Sequence, residues 1–350
     1  MLRPRQRNLL IGTFAVLVAV ALAVVPGLRY SPSSLLTHAH KVATLNDWTA
    51  KPSNYFWLSN HEVLLIATAG YEAESTSQET QAHRLDIQTG TIKEDRPLEA
   101  ALNNMGPATV VSQWQLSPDA CWLLSDDSYL QNTPPALIVT AVNGTKQFTR
   151  PRHEEYMRDG IFTVWRPDSK SWVQMVEENN QVSIYTYQVA DPAIVKHTEN
   201  TNLNGNVAIG FYSQDRLFCL RPRTGDGGGI GIMDLGVDAA SVPVKNFIQD
   251  IPPNMDIQEV VLSPDRTHLA WKFTVRPLLL GIEATINSSY VRRSSPYEAG
   301  LWTSDLNFNH LHEIGTADIR NDAISTVRWT PDGRSLSFFD QNTLYTVPVD

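Results

Sequence analysis

Cysteine is nearly absent from this chain: its 350 residues hold two, Cys121 and Cys219. No C-x-x-C pair exists, so neither a thiolate metal site nor a dithiol redox motif can be built. Each cysteine sits in an apolar, strand-like run (CWLLS and RLFCLR), and the repeat described below sets them two units apart. Both are therefore expected as buried free thiols rather than a disulfide. Charge is sparse as well, at 19% against 42% hydrophobic residues, which excludes a disordered chain and allows a sizeable core. Positive charge is scarcest. The formal net charge is -9, and Arg3, Arg5, Arg7 and Arg29 all fall within the first 30 residues. The remainder carries 24 basic and 37 acidic residues. An acidic body repels phosphate backbones, which excludes nucleic acid as a partner, and it offers no basic face to anionic lipid.

Long apolar runs are confined to one place. Residues 9–25 read LLIGTFAVLVAVALAVV without a charge, and extension to Leu28 gives a stretch long enough to cross a bilayer as a helix. Three arginines precede it and one follows, so the positive-inside rule keeps residues 1–8 in the cytoplasm and exports the rest. A cleaved signal peptide shares the basic start and apolar core, with Ala19, Ala21 and Ala23 as small residues for cleavage. The bulky Val24 and Val25 and the length of the run favour an uncleaved anchor over 9–28, but both readings export the body. Residues 29–39 then read as a linker, and 40–350 as one domain.

That domain is built on a repeat. A phrase of an aromatic or aliphatic residue, Ser/Thr/Arg, Pro, Asp and an apolar strand recurs as WQLSPDACWLL, WRPDSKSWVQMV, VLSPDRTHLAW and WTPDGRSLSFF. WLSNHEVLLIA and FYSQDRLFCL are weaker copies without the Pro, and the six starts are at 57, 114, 165, 211, 261 and 329. Pro presets φ at the first turn position and Asp caps the turn through its own side chain, so each phrase reads as a β-hairpin. A third strand follows each (ALIVTAVNG and VSIYTYQVAD are examples), then a short fourth such as TKQFT or VPVKNF. Four strands per unit, at this spacing, predict a six-bladed β-propeller preceded by a single transmembrane helix. The sixth unit stops after its third strand at Asp350, and HKVATL (40–45) is expected to supply the missing fourth strand and close the ring.

The phrases LSPD and TPDGRSLSFF, with LYTVPVD after the latter, resemble the TolB-type, WD40-like propeller repeat over roughly residues 40–350. The resemblance implies a bacterial envelope or secreted setting and partner binding through the loops of the ring. The Trp-Asp dipeptide of ordinary WD repeats is absent. Prolyl oligopeptidase-like enzymes carry a similar ring beside a hydrolase domain, but no G-x-S-x-G motif occurs here.

No Ser/His/Asp set follows from spacing. His38/His40 and His310/His312 are His-x-His pairs on strand-like segments and read as edge-strand polar residues before metal ligands. Asp119, Asp168, Asp265 and Asp332 recur at equivalent turn positions and read as turn formers, while Trp114, Trp165 and Trp329 read as core. Asn143 and Asn287 fit the glycosylation acceptor pattern, which matters only in a host that glycosylates exported proteins. Four loops gather on the rim opposite those turns: RPRTGDGGG (221–229), the long insertion 274–299, the polar stretch 70–81 and the inter-blade link 150–155. Arg152, Arg221, Arg223, Tyr290, Arg292 and Arg293 are the candidate binding residues there. The chain thus reads as a membrane-anchored, extracytoplasmic scaffold for a protein, peptide or glycan of the envelope, with no catalytic residue, metal or cofactor assigned. The alternative is a hydrolase or lyase with a polar site in the central channel.

Overall fold

The structure is a computed structural model. It describes residues 34–45, 54–68, 80–104, 111–127, 136–151, 162–178, 181–200, 207–221, 229–234, 255–275, 298–306, 310–318, 326–340 and 342–349.

Each phrase folds as its turn chemistry dictates. In the second unit the Ser117 carbonyl accepts the Ala120 N–H at 2.9 Å, and the Ser117 N–H reaches the Trp122 carbonyl at 2.8 Å. Asp119 Oδ1 receives the Ser117 hydroxyl at 2.6 Å and the Cys121 N–H at 3.0 Å. Ala120, Ser169, Arg266 and Gly333 close the four Pro-Asp turns with φ of 57°, 58°, 60° and 70°. This is a four-residue hairpin loop whose third residue is left-handed. Asp265 and Asp332 serve in the same way, and the Ser263 and Thr330 hydroxyls that bond them hold both carboxyls below the usual carboxylate range. The aspartates are therefore committed to the turns.

Among the described residues twenty-three strands result, in six antiparallel sheets. Sheet one is β2 (Asn54–Ser59), β3 (Glu62–Thr68), β4 (Thr80–Asp86) and β5 (Thr91–Glu94). Sheet two is β6 (Val111–Leu116), β7 (Trp122–Asp127), β8 (Ala136–Ala141) and β9 (Gln147–Pro151). Sheet three is β10 (Phe162–Trp165), β11 (Ser171–Glu178), β12 (Gln181–Gln188) and β13 (Ile194–Asn200). Sheet four has β14 (Val207–Ser213), β15 (Arg216–Arg221) and β16 (Gly229–Asp234). Sheet five is β17 (Met255–Leu262), β18 (His268–Val275), β19 (Glu298–Asp305) and β20 (His312–Asp318). Sheet six is β21 (Arg328–Trp329), β22 (Ser335–Asp340) and β23 (Thr343–Pro348), with β1 (His40–Thr44) on its outer edge. The arrangement is an all-β propeller with five complete four-stranded blades, not the six expected. Sheet four shows three strands, and VPVKNF (242–247), expected as its fourth, lies outside the described residues.

The sheets pack side by side around a ring. Leu124, Leu137, Trp165 and Trp172 fill the seam between sheets two and three. Tyr55, Trp57, Phe339 and Leu344 fill the seam between six and one. β1 runs antiparallel to β23, with His40 opposite Thr346 and Thr44 opposite Thr343. The ring therefore closes with a strand from each end of the domain, which removes an exposed sheet edge. Recurrent tryptophans tie neighbouring units: Trp165 Nε1 donates to the Gln115 carbonyl at 3.3 Å and Trp329 Nε1 to the Val261 carbonyl at 3.0 Å.

Three features depart from the expected pattern. Residues 34–38, expected as plain linker, form helix α1 (Ser34–His38), and its Leu35 is fully buried with Ala270, Leu301 and Val347 at the seam of sheets five and six. A second helix, α2 (Arg96–Asn103), links sheets one and two; Asp95 caps it by accepting the Leu98 N–H at 3.2 Å, and Leu98, Ala101 and Leu102 are buried. Cys121 is a free thiol but exposed rather than buried, because it lies on the outer flank of the Asp119 turn. The Cys219 side chain is outside the described residues. So is the expected membrane segment 9–28; among the described residues no helix is long and apolar enough to cross a membrane.

Candidate functional site

The innermost strands β2, β6, β10, β14, β17 and β21 surround a cavity of about 560 Å³ on the ring axis, which opens among the Pro-Asp turns. Phe56, Trp57, Trp165, Phe211 and Trp329 give it an aromatic wall. Gln115, Thr163, Glu259 and Arg328 bring polar side chains to that wall, and Ser117, Asp119, Ser263 and Arg266 line its turn end. Gln115 Nε2 donates to the carbonyl and the hydroxyl of Thr163, which spends it on joining sheets two and three.

Glu259 and Arg328 come from adjacent sheets. Glu259 Oε2 accepts the Val327 N–H at 3.1 Å, and burial pushes its carboxyl above the usual range against the opposing pull of Arg328. Across the β17–β18 ladder Glu259 faces Lys272, whose ammonium burial lowers while Glu259 partly restores it. The Arg328 guanidinium lies 4.6 Å from the Phe56 ring centroid, a cation–π contact. Its Nε is buried without a hydrogen-bond partner. Behind this wall, Tyr55 Oη donates to the Ser337 carbonyl at 2.7 Å, and burial drives its phenol well above the ordinary value. The arrangement can hold a charged or hydrogen-bonding group within an apolar tube. Among the described residues no cluster of three His, Cys, Asp or Glu could hold a metal ion.

Arg152, Arg223, Tyr290, Arg292 and Arg293 lie outside the described residues. Arg221 ends β15 opposite Gly229, at the hairpin end away from the Pro-Asp turns, and its side chain is likewise outside them. Arg150, expected at the start of the inter-blade link, lies in β9 and is buried: its Nη2 donates to the Val189 carbonyl at 3.0 Å and ties sheet two to sheet three. His38, His40, His310 and His312 are exposed near the outer strands β1 and β20. Asn143 caps its turn by accepting the Thr145 N–H at 3.1 Å.

Sequence reasoning missed Glu259, Lys272 and Arg328. The available signal was a charge beside apolar neighbours: Glu259 before Val260 and Val261, Lys272 between Trp271 and Phe273, and Arg328 between Val327 and Trp329. Arg328 and Gln115 stand at the same place, two residues before the Ser/Thr of the phrase, where the other two complete copies carry Val164 and Val261.

These features define a β-propeller with an axial cavity. Solved structures with the same fold include TolB from Acinetobacter baumannii, with a TM-score of 0.51 and 13% identity over 83% of this chain and 64% of that one. The chain thus spans just under two thirds of that protein's length. The putative TolB from Agrobacterium tumefaciens is similar, at TM-score 0.50 and 12% identity over 87% of this chain and 92% of that one. An oligogalacturonate lyase in complex with manganese matches at TM-score 0.50 and 10% identity over 89% and 96% of the two chains. The suspected TolB-type architecture is therefore present. No protein-family profile and no curated protein sequence matches the chain.

Proposed function

We propose that this chain is a binding scaffold of the cell envelope: a helix at 9–28 anchors it, and the exported ring holds a protein, peptide or glycan on its loop rim. In this reading 242–247 completes sheet four as a sixth blade. The observation that carries it is the unlikeness of the two faces of the ring. Four of the six turns between first and second strands are near-copies, held by Asp119, Asp168, Asp265 and Asp332. The connections between second and third strands leave from the opposite ends of the same hairpins and vary from 179–180 to 276–297. A regular frame with unequal loops on one face suits recognition, since loops vary at little cost to the frame. The basic flank of 9–28 and the TolB-like fold support an extracytoplasmic setting.

The test is capture from native membranes with the full-length, C-terminally tagged chain as bait, followed by mass spectrometry. An envelope protein or glycan held by the native chain and released by the paired change Arg292→Ala, Arg293→Ala supports the loop rim. Capture unaffected by rim changes overturns that assignment. Alkaline extraction of membranes tests the anchor: a chain released into the supernatant is not spanning.

A second reading places catalysis in the channel. Its support is the half-buried Glu259, its carboxyl raised by desolvation beside Arg328, and the occurrence of the same fold in a lyase. A lone carboxyl beside one guanidinium lacks the second acid or base that most hydrolytic schemes need, so binding is the better-supported reading.

A further inference from the structure

We propose that the axial cavity is a binding site for an organic carboxylate, gripped by Arg328 against the aromatic wall. The loop-rim reading does not depend on it, and its test alters no rim residue.

Arg328 carries the argument. Its guanidinium rests on Phe56 and makes no hydrogen bond or ion pair among the described residues, and its Nε is buried. Its Nε has lost water without gaining a protein acceptor, which costs free energy, and the half-buried fork is left open to an acceptor entering the cavity. Its planar fork matches a carboxylate with two parallel hydrogen bonds. Glu259 does not serve as that acceptor. It spends Oε2 on the Val327 N–H and makes no hydrogen bond or ion pair with Arg328 among the described residues, so the guanidinium keeps its donors.

The wall sets the rest of the ligand. The indole N–H groups of Trp57, Trp165 and Trp329 are already donated to Ser337, Gln115 and Val261. What these residues offer the cavity is apolar surface. A flat or apolar body bearing one carboxylate therefore fits better than a hydrated dianion such as phosphate, which the aromatic wall would strip of water; the other cation of the lining, Arg266, stands on a Pro-Asp turn at the mouth. About 560 Å³ is ample for such a molecule. The chain's net charge of -9 supplies no long-range attraction for anions, so affinity must come from the contact itself.

The test uses the full chain in detergent, with sodium benzoate as probe and benzamide, acetate and inorganic phosphate as comparators. Binding is read by calorimetry and by intrinsic tryptophan fluorescence. Benzoate should bind at least about tenfold more tightly than benzamide, its neutral isostere, or phosphate. Arg328→Gln should weaken benzoate by about ten- to a hundredfold, with Arg328→Lys between. Arg96→Gln, at a side chain 84% exposed, should change nothing. Equal binding of benzamide, unchanged affinity in a folded Arg328→Gln variant, or no benzoate binding at about 10 mM would each overturn the proposal. Should Arg328→Gln not fold, Arg328→Lys and Glu259→Gln decide. The first must weaken benzoate and the second must preserve or tighten it, and any other pair of results overturns the proposal.

Discussion

Ser337 is the residue whose loss should show most directly how the ring is held shut. It is fully buried in β22 of sheet six, and three groups converge on it. Its Oγ donates to the Arg328 carbonyl at 3.0 Å and accepts the Trp57 indole N–H at 2.8 Å. Tyr55 Oη bonds its carbonyl at 2.7 Å. Trp57 and Tyr55 belong to sheet one, so these bonds join the first unit to the last. Ser337→Ala removes the hydroxyl and little volume. The Tyr55 bond to the backbone survives, but the Trp57 N–H, on a side chain only 9% exposed, is orphaned. An unsatisfied buried donor costs about 1–3 kcal/mol. Urea unfolding followed by far-UV circular dichroism should show that loss as a lower midpoint at unchanged slope. A double-mutant cycle isolates the bond: Trp57→Phe deletes the donor, so Ser337→Ala should cost about 1 kcal/mol less in that background than alone. A Ser337→Ala variant within about 0.3 kcal/mol of the native chain, or an additive cycle, would refute the clasp.

Three further outcomes follow from the same structure. Gly90 and Gly144 share a left-handed backbone, with φ of 69° and 71°, but a Cβ on Gly90 meets nothing within 4 Å, whereas one on Gly144 would lie 2.3 Å from the Pro97 carbonyl oxygen. Gly90→Ala should cost about 1 kcal/mol, for the backbone alone, and Gly144→Ala about 2–4 kcal/mol, by urea unfolding; equal costs would show that the close approach to α2 is not real. Glu259 has a raised pKa in the fold, so the folded state binds its proton more tightly than the unfolded chain does. Its contribution to stability is therefore lost as pH rises from the ordinary glutamate range through the folded value. Glu259→Gln should match the native chain near pH 4 and exceed it in urea midpoint above the folded pKa; a variant less stable than native at high pH would contradict this. Asp95 caps α2 and bonds Arg84 Nε at 2.6 Å. Asp95→Ala should cost about 1–2 kcal/mol for the cap with more for the pair, and Asp95→Asn should recover the cap part alone, as thermal melts can separate.

How far the fold could be read from the chain depended on where its information is local. The Pro-Asp turns were legible because their chemistry is complete within five residues: Ser117, Asp119 and Cys121 bond one another whatever lies beyond. From four such turns an all-β propeller follows. Sheet four was the least legible unit for the converse reason. Its phrase, FYSQDRLFCL, lacks the Pro, and its first hairpin closes on Gln214 and Asp215 instead. The helix at Arg96–Asn103 hid because its apolar positions, Leu98, Ala101 and Leu102, are few and close on two turns of chain. Its clearest signal was Asp95 followed by Arg-Pro, a cap and an early helical proline.

The site was harder to read because its parts are separated by the fold itself. Glu259 and Arg328 come from sheets five and six, Phe56 from sheet one and Gln115 from sheet two, so no spacing rule relates them. What a propeller repeats is the frame, and a repeat search returns frame residues: the aspartates proved to be turn formers and the tryptophans inter-sheet ties. Function is then better sought where the repeat breaks its own pattern. Position 328 is such a break, an arginine where two of the other complete copies carry valine. Half-burying a cation there costs free energy that valine would not, and among the described residues it receives the Phe56 face and the pull of Glu259 but not the return of a hydrogen bond. A ligand carboxylate would supply that return, which is why the Arg328 variants discriminate between a frame residue and a binding residue. A frame role predicts that Arg328→Gln lowers the urea midpoint and leaves benzoate binding as it was, and a binding role predicts a raised midpoint with affinity lost.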